Sequence, residues 1–164
     1  MISLRVTTIE DVDILTAIQQ KAFLPLYEKY HDAGNPCLRD ERDIICRLNN
    51  PKFIYLTILS DENIVGGILY RIKGSTPFVK RLGFGKYYLG RLYIAPEYQN
   101  KGIAAEAILQ SEKYLKRPRK IYVDFPEDLE KNRKCYMKCG YTDTGKRLET
   151  EPGLILACYE KSTR

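Results

Sequence analysis

The chain has 164 residues, 44% of them hydrophobic, and carries 27 Lys and Arg against 21 Asp and Glu, a formal net charge of +6. That length fits one domain over residues 1–164, with a core large enough to stand without disulfide or metal staples. Five irregularly placed Cys and a single His exclude a Cys/His zinc site, while "MISLRVTTIEDVD" lacks an apolar leader core and no apolar run is long enough to cross a bilayer, so a cytoplasmic protein with reduced thiols is expected, without metal or membrane attachment.

In chain order, "ISLRVT" reads as a strand. Thr7 or Thr8 then caps a helix to about Phe23, whose Ile9, Val12, Ile14, Leu15, Ile18 and Ala22 form an apolar stripe. The segment "LPLYEKYHDAGNPC" is aromatic and turn-rich, and Asp40 is placed to cap a short helix, "ERDIICRLNN", that stops before Pro51. The runs "KFIYLTILS" and "NIVGGILYRIK", joined by "DEN", predict an antiparallel hairpin. A long loop, "GSTPFVKRLGFG", leads to the strand "KYYLGRLYIA". A helix from Lys101 to about Arg117, the strand "KIYVDF", a helix "LEKNRKCYMKC" stopped by Gly140, and the strands "TDTGKRLET" and "GLILACYEK" complete the chain. The order βααβββαβαββ, with a crossover helix after "RLYIA", predicts an α+β fold with a mixed sheet containing one parallel pair.

The basic residues are dispersed except for "KRPRK" at Lys116–Lys120. Placed at the end of a predicted helix, that cluster reads as the complement of the helix dipole, so no nucleic acid partner is expected. The charge suits an anionic ligand instead, and the turn "APEYQNKGIAA" offers it a seat. Pro96 ends the strand and Gly102 lies at the start of the following helix, where unpaired backbone N–H groups and the positive end of the dipole point outward. Lys101 adds charge, Gln99 and Asn100 bring side-chain amides, and Ala104 and Ala105 keep the first turn small. By itself such a turn serves equally as an ordinary strand-to-helix join with a Gly for packing.

In its wider setting "LYIAPEYQNKGIA" resembles the acyl-CoA-binding motif of the GNAT N-acetyltransferases, and "NRKCYMKCGY" resembles the later helix of that family, which ends in Tyr-x-Lys-x-Gly-Phe/Tyr. The order of elements follows the family over nearly the whole chain. The resemblance implies a GNAT-like, mostly antiparallel central sheet flanked by helices, with "RLYI" bulged and splayed from its parallel neighbour "KIYVDF". It implies acetyl-CoA as cosubstrate, its pantetheine arm along Leu92, Tyr93 and Ile94, its pyrophosphate on residues from Gln99 through Lys101, Gly102 and Ile103 to Ala105, and Ile94 N–H at the acetyl carbonyl. Unpaired main-chain groups beside a bulge are what allow an amide chain to be bound as an added strand.

Tyr136 matches the family's proton donor to the departing thiolate, and Asn132, one turn earlier on the same face, is a pantetheine contact, although the family's helix Asn commonly falls where this chain has Leu129. Asp124, at the end of "KIYVDF", is the first choice for the general base, with Glu28 and His31 behind it. Cys135 and Cys139 read as packing thiols. The segments "FLPLYEKYHDAGNP" and "KGSTPFVKRLGFGKYY" are expected to frame the acceptor pocket, with Tyr27, Glu28, Tyr30, His31 and Asp32 around a compact cation. These readings predict acetyl transfer to a small primary amine by a monomer or homodimer. The alternatives are a protein N-terminal or lysine acetyltransferase, a non-catalytic acyl-CoA-binding module and an RNA-binding module.

Overall fold

The computed structural model describes residues 1–163. Among these, the elements run β1 (Ile2–Val6), α1 (Val12–Tyr30), α2 (Glu41–Leu48), β2 (Phe53–Ser60), β3 (Asn63–Arg71), β4 (Lys86–Ile94), α3 (Ile103–Ser111), β5 (Lys120–Pro126), α4 (Glu130–Lys138), β6 (Thr142–Glu151) and β7 (Leu154–Ser162), with short 3-10 turns between some of them. This is the order expected from the sequence. All seven strands join one sheet, β1-β2-β3-β4-β5-β7-β6. Every neighbouring pair is antiparallel except β4 and β5, which the crossover helix α3 makes parallel.

Local chemistry accounts for the joins. Asp61 and Glu62 both take left-handed φ, +48° and +74°, the two-residue turn whose twist suits a hairpin, and so connect β2 to β3. Asp40 caps α2, its carboxylate accepting from Arg42 N–H at 3.0 Å. The helix α1 runs seven residues past the expected end at Phe23, through Pro25 to Tyr30. Pro25 sits on the exposed side, while Phe23, Leu26 and Tyr30 continue a partly buried stripe at helical spacing, so packing outweighs one missing N–H. Conversely α3 stops at Ser111 rather than Arg117. The buried Ser111 hydroxyl is drawn to Ile108 O at 2.7 Å and to the Tyr70 hydroxyl at 2.6 Å, and the chain tightens into a 3-10 turn before extending at Leu115.

The sheet buries both faces. On one, Leu56, Ile68, Tyr70, Leu89, Ile121 and Val123 pack with Ile108 of α3 and Tyr136 of α4. On the other, α1 and α2 bring Val12, Leu15 and Ile44 onto Tyr55, Leu69 and Tyr93. The alternation of inward side chains along each strand thus feeds two helix layers. No helix among the described residues is long and apolar enough to cross a membrane.

The long loop between β3 and β4 departs from expectation. It folds on itself, Thr76 N–H donating to Val79 O at 2.8 Å and Gly74 pairing with Leu82, and sets Val79 and Leu82 against Tyr88. None of residues 74–88 lines the two clefts described below. Its apolar residues make a small core of their own instead of an acceptor pocket.

Candidate active site

The site begins as a fault in the sheet. Leu69 pairs with Arg91 and Tyr70 with Leu89, which leaves Gly90 as the extra residue of a bulge in β4. On the other edge, β4 and β5 pair only from Lys86/Lys120 to Leu89/Val123. Past that point β4 stays with β3 as far as Ile94, and β5 stays with β7 as far as Pro126. A gap therefore opens between two strands that are each held from behind. Ala95 N–H bonds Val65 O at 2.7 Å, and a Cβ on Gly66 would stand 2.1 Å from Tyr93 O. Main-chain direction alternates along a strand, so the groups of Tyr93 belong to the β3 ladder while those of Leu92 and Ile94 face the gap.

One cleft, about 640 Å³, enters the gap from the α3 side. Its walls include Leu92, Tyr93 and Ile94, then Gln99, Asn100, Gly102, Ile103, Ala104 and Ala105, then Asn132 and Tyr136. Of the residues expected to hold a cofactor, only Lys101 lies outside this lining; its ammonium sits over the Tyr98 ring, 5.5 Å from the centroid. The turn is built from two left-handed residues, Asn100 at φ +63° and Gly102 at φ +79°, and Gly102 stands immediately before α3. A Cβ there would meet nothing within 4 Å, so the space over the helix start is open. The first ladder bond of α3 runs from Glu106 N–H to Gly102 O, leaving the N–H groups of the first turn without ladder partners. Gln99 braces the turn, its amide donating to Ile94 O at 2.9 Å. Cys139, immediately after α4, donates to Ala105 O at 3.5 Å and ties the end of α4 to α3, in keeping with a packing thiol.

A second cleft, about 290 Å³, is walled by the end of α1 and the turn after it, by β4 and β5, and by Leu154 and Leu156 of β7. It shares Phe23, Leu26, Leu92, Asn132 and Tyr136 with the first, so the two meet at these side chains. Asp124 and Asp32 line only this second cleft. Neither carboxylate has an ion-pair partner among the described residues. Arg91, also in the wall, is paired with Asp43 at 2.6 Å, a carboxylate it shares with Arg47, also at 2.6 Å. Asp124 accepts a hydrogen bond from Tyr88, yet burial, the larger effect, raises its carboxyl above the usual range. Tyr30 and Asp32 reach the cleft, whereas Tyr27, Glu28 and His31 line neither cleft. His31 ends α1 at φ +54° and packs edge-on against Tyr27, 5.5 Å between ring centroids.

Tyr136 stands where the clefts join. It is 6% exposed, stacked on Phe125 at 5.2 Å and edge-on to Tyr141 at 5.6 Å. Burial, followed by the neighbouring Cys135 and Asp124, pushes its phenol well above the ordinary range and keeps the proton on. Sequence reasoning did not pick out Gly90 or the β7 residues Leu154 and Leu156 that close the second cleft. An isolated Gly inside a strand pattern was the available signal for the first; the β7 residues carry no local signal.

Residues 15–141 match the acetyltransferase (GNAT) family. No curated protein matches the chain by sequence. The PaiA N-acetyltransferase of Thermoplasma acidophilum, solved with coenzyme A, shares the fold at a TM-score of 0.76 and 18% identity, over 99% of each chain. AAC(6')-Ib, solved with ribostamycin and coenzyme A, gives 0.76 and 15% over 99% of this chain and 93% of its own. The ribosomal-protein-S18-alanine N-acetyltransferase of Escherichia coli gives 0.72 and 10% over 99% and 94%. At such identities the likeness speaks for the fold; the family match, which extends over well more than half of the sequence, speaks for descent, and the chain belongs to the GNAT acetyltransferase family.

Proposed function

We propose that the chain is an acetyl-CoA-dependent N-acetyltransferase that moves the acetyl group directly onto a primary amine of a small molecule. The observation that carries this reading is the meeting of two clefts at Tyr136, one lined by an anion-seating helix start and the other by two carboxylates without cationic partners. The residues fit acetyl-CoA: the helix start and the open space over Gly102 suit a pyrophosphate, and the gap-facing main chain of Leu92 and Ile94 suits a pantetheine amide chain. The neighbours solved with coenzyme A support the same assignment.

Acetyl-CoA supplies an acyl group activated as a thioester. In the proposed reaction Ile94 N–H faces the gap and stabilises negative charge developing on the acyl oxygen. Asp124 accepts the proton lost by the attacking amine; its raised carboxyl pKa makes it a better base than an exposed Asp, and Tyr88 fixes its orientation. Tyr136, protonated because it is buried, donates to the departing sulfur. Asp32 and Asp124 favour a cationic acceptor, and a volume of about 290 Å³ favours a compact one.

The test compares kcat/KM for small amines with that for peptides bearing free N-termini, on one enzyme preparation. Preference for small amines supports the reading. Preference for peptides overturns the choice of acceptor and favours a protein acetyltransferase, and acetyl-CoA binding without transfer to either set favours a non-catalytic acyl-CoA module.

A further inference from the structure

We infer that the end of the sheet opposite the clefts is a binding surface for single-stranded nucleic acid, formed by two carboxylate-free loops around the exposed ring of Phe84. Between Ile72 and Tyr88 the chain has no Asp or Glu but carries Lys73, Lys80, Arg81 and Lys86. Between Lys113 and Val123 it again has none and carries Lys113, Lys116, Arg117, Arg119 and Lys120. The fold stitches these segments together. Arg119 N–H and Lys120 N–H donate to Gly85 O at 2.8 and 3.1 Å, Tyr87 donates its hydroxyl to Lys116 O at 2.6 Å, and Lys86 stands beside Lys120 in the parallel ladder.

The concentration of charge is large. These nine cations leave 18 Lys and Arg to face all 21 carboxylates in the rest of the chain, so the whole of the +6 arises from these two segments. Of the nine, only Lys120 has an ion-pair partner among the described residues, Glu160 at 3.4 Å. The helix dipole covers little of Lys116–Lys120. Helical backbone ends at Tyr114, with the 3-10 turn that follows α3, and the dipole's influence fades within the last turn, whereas Arg119 directly precedes β5 and Lys120 begins it.

Phe84 completes the surface. It is 83% exposed and held at φ +54° between Gly83 and Gly85. A bilayer anchor needs a wider apolar face than one ring, and the neighbouring Val79 and Leu82 are only 8% and 5% exposed. One ring among cations suits a strand of nucleic acid better: a base stacks on Phe84, and Arg81, Arg117 and Arg119 fork onto phosphates.

The test is fluorescence anisotropy with a labelled oligouridylate of about 20 nucleotides, longer than the ~4–16 that one single-strand site covers. Its deoxythymidylate counterpart, duplex RNA and phosphatidylserine vesicles are run beside it. The single strands should bind more tightly than the duplex. The triple variant Arg81→Ser, Arg117→Ser, Arg119→Ser should lose at least about 30-fold in affinity and flatten the log–log salt slope by roughly 2, at ~0.7 per lost phosphate contact. Phe84→Ala should lose about tenfold, within the range for one stacked base, with the salt slope unchanged. Acetyl transfer should be unaffected in both, since none of these residues lines a cleft. A tighter uridylate than thymidylate assigns the site to RNA; equal affinity assigns it to either strand. Equal loss in the matched triple Lys21→Ser, Lys52→Ser, Lys146→Ser would overturn the proposal in favour of diffuse attraction, as would an unaltered Phe84→Ala. Vesicle binding without oligouridylate binding would overturn it in favour of a membrane.

Discussion

The two edges of β4 are treated in opposite ways. Along β3 the ladder runs from Arg71/Tyr88 to Gly66/Ile94 and drops only Gly90 from register. Along β5 it stops after four pairs, at Leu89/Val123. The first edge is pressed close: Gly66 and Gly67 have no room for a Cβ, which would stand 2.1 Å from Tyr93 O and 2.6 Å from the Tyr93 hydroxyl. The second edge turns main-chain groups toward a gap, of which Ile94 O is taken by the Gln99 amide at 2.9 Å. Main-chain groups on an open edge inside a protein need a partner, whether a side chain, water or a polar guest. The close packing at β3 and the early end of the ladder at β5 are thus two parts of one arrangement.

The sharpest way to break that arrangement is at its anion seat. Gly102→Asp puts a negative charge and a Cβ into the open space before α3 and imposes φ +79° on a side-chain-bearing residue. Calorimetric titration should show acetyl-CoA affinity falling by on the order of 100-fold or more while circular dichroism stays that of the folded protein, an effect of several kcal/mol on binding. Unchanged affinity would mean that the unpaired edge of β4 is not the cofactor edge.

Next in size is Tyr136→Phe. Removing the hydroxyl where the clefts join should lower kcat by on the order of 10²-fold and leave acetyl-CoA affinity unchanged. The pH profile sharpens the assignment. An amine reacts in its neutral form, so kcat/KM should rise with pH; because burial lifts the Tyr136 phenol above its ordinary value of ~10, no falling limb should appear near that pH. A falling limb there would give the proton to a more exposed group.

The smallest effect is on stability and separates the two walls of the gap. Asp124 has a folded-state carboxyl pKa raised by burial, so its ionised form costs the native state stability above that pKa, and the cost disappears as pH falls below the unfolded value of ~3.9. Asp124→Asn should therefore raise Tm by a few degrees at neutral pH, and the difference should close in acid, while acetyl transfer falls. A thermal scan across pH checks both sign and window.

Much of this was legible in the sequence, for reasons that differ by element. The hairpin turn at Asp61–Glu62, the Asp40 cap and the strand-turn-helix at Pro96–Gly102 depend on neighbours within a few residues, and local chemistry is what a sequence displays. Tyr136 and Asn132 came from a motif and do line the joined clefts. What failed depended on distant partners. Phe23, Leu26 and Tyr30 carry α1 past Pro25 because the stripe has a surface to meet, and Ser111 ends α3 early because Tyr70 waits across the core. The length and aromatics of the segment 73–88 suggest an acceptor pocket, but Val79 and Leu82 find Tyr88 first. The second cleft needs Leu154 and Leu156, which only the sheet order β5-β7-β6 brings beside Asp124.

The two clefts also have a consequence for traffic. Because they have different walls and meet only at a few side chains around Tyr136, the proposed donor and acceptor have separate doors. On that proposal neither has to leave before the other arrives, and no acyl group has to be parked on the protein between visits. The rate law the proposal predicts is one in which both partners are aboard together, each spent partner departing along the corridor by which it came.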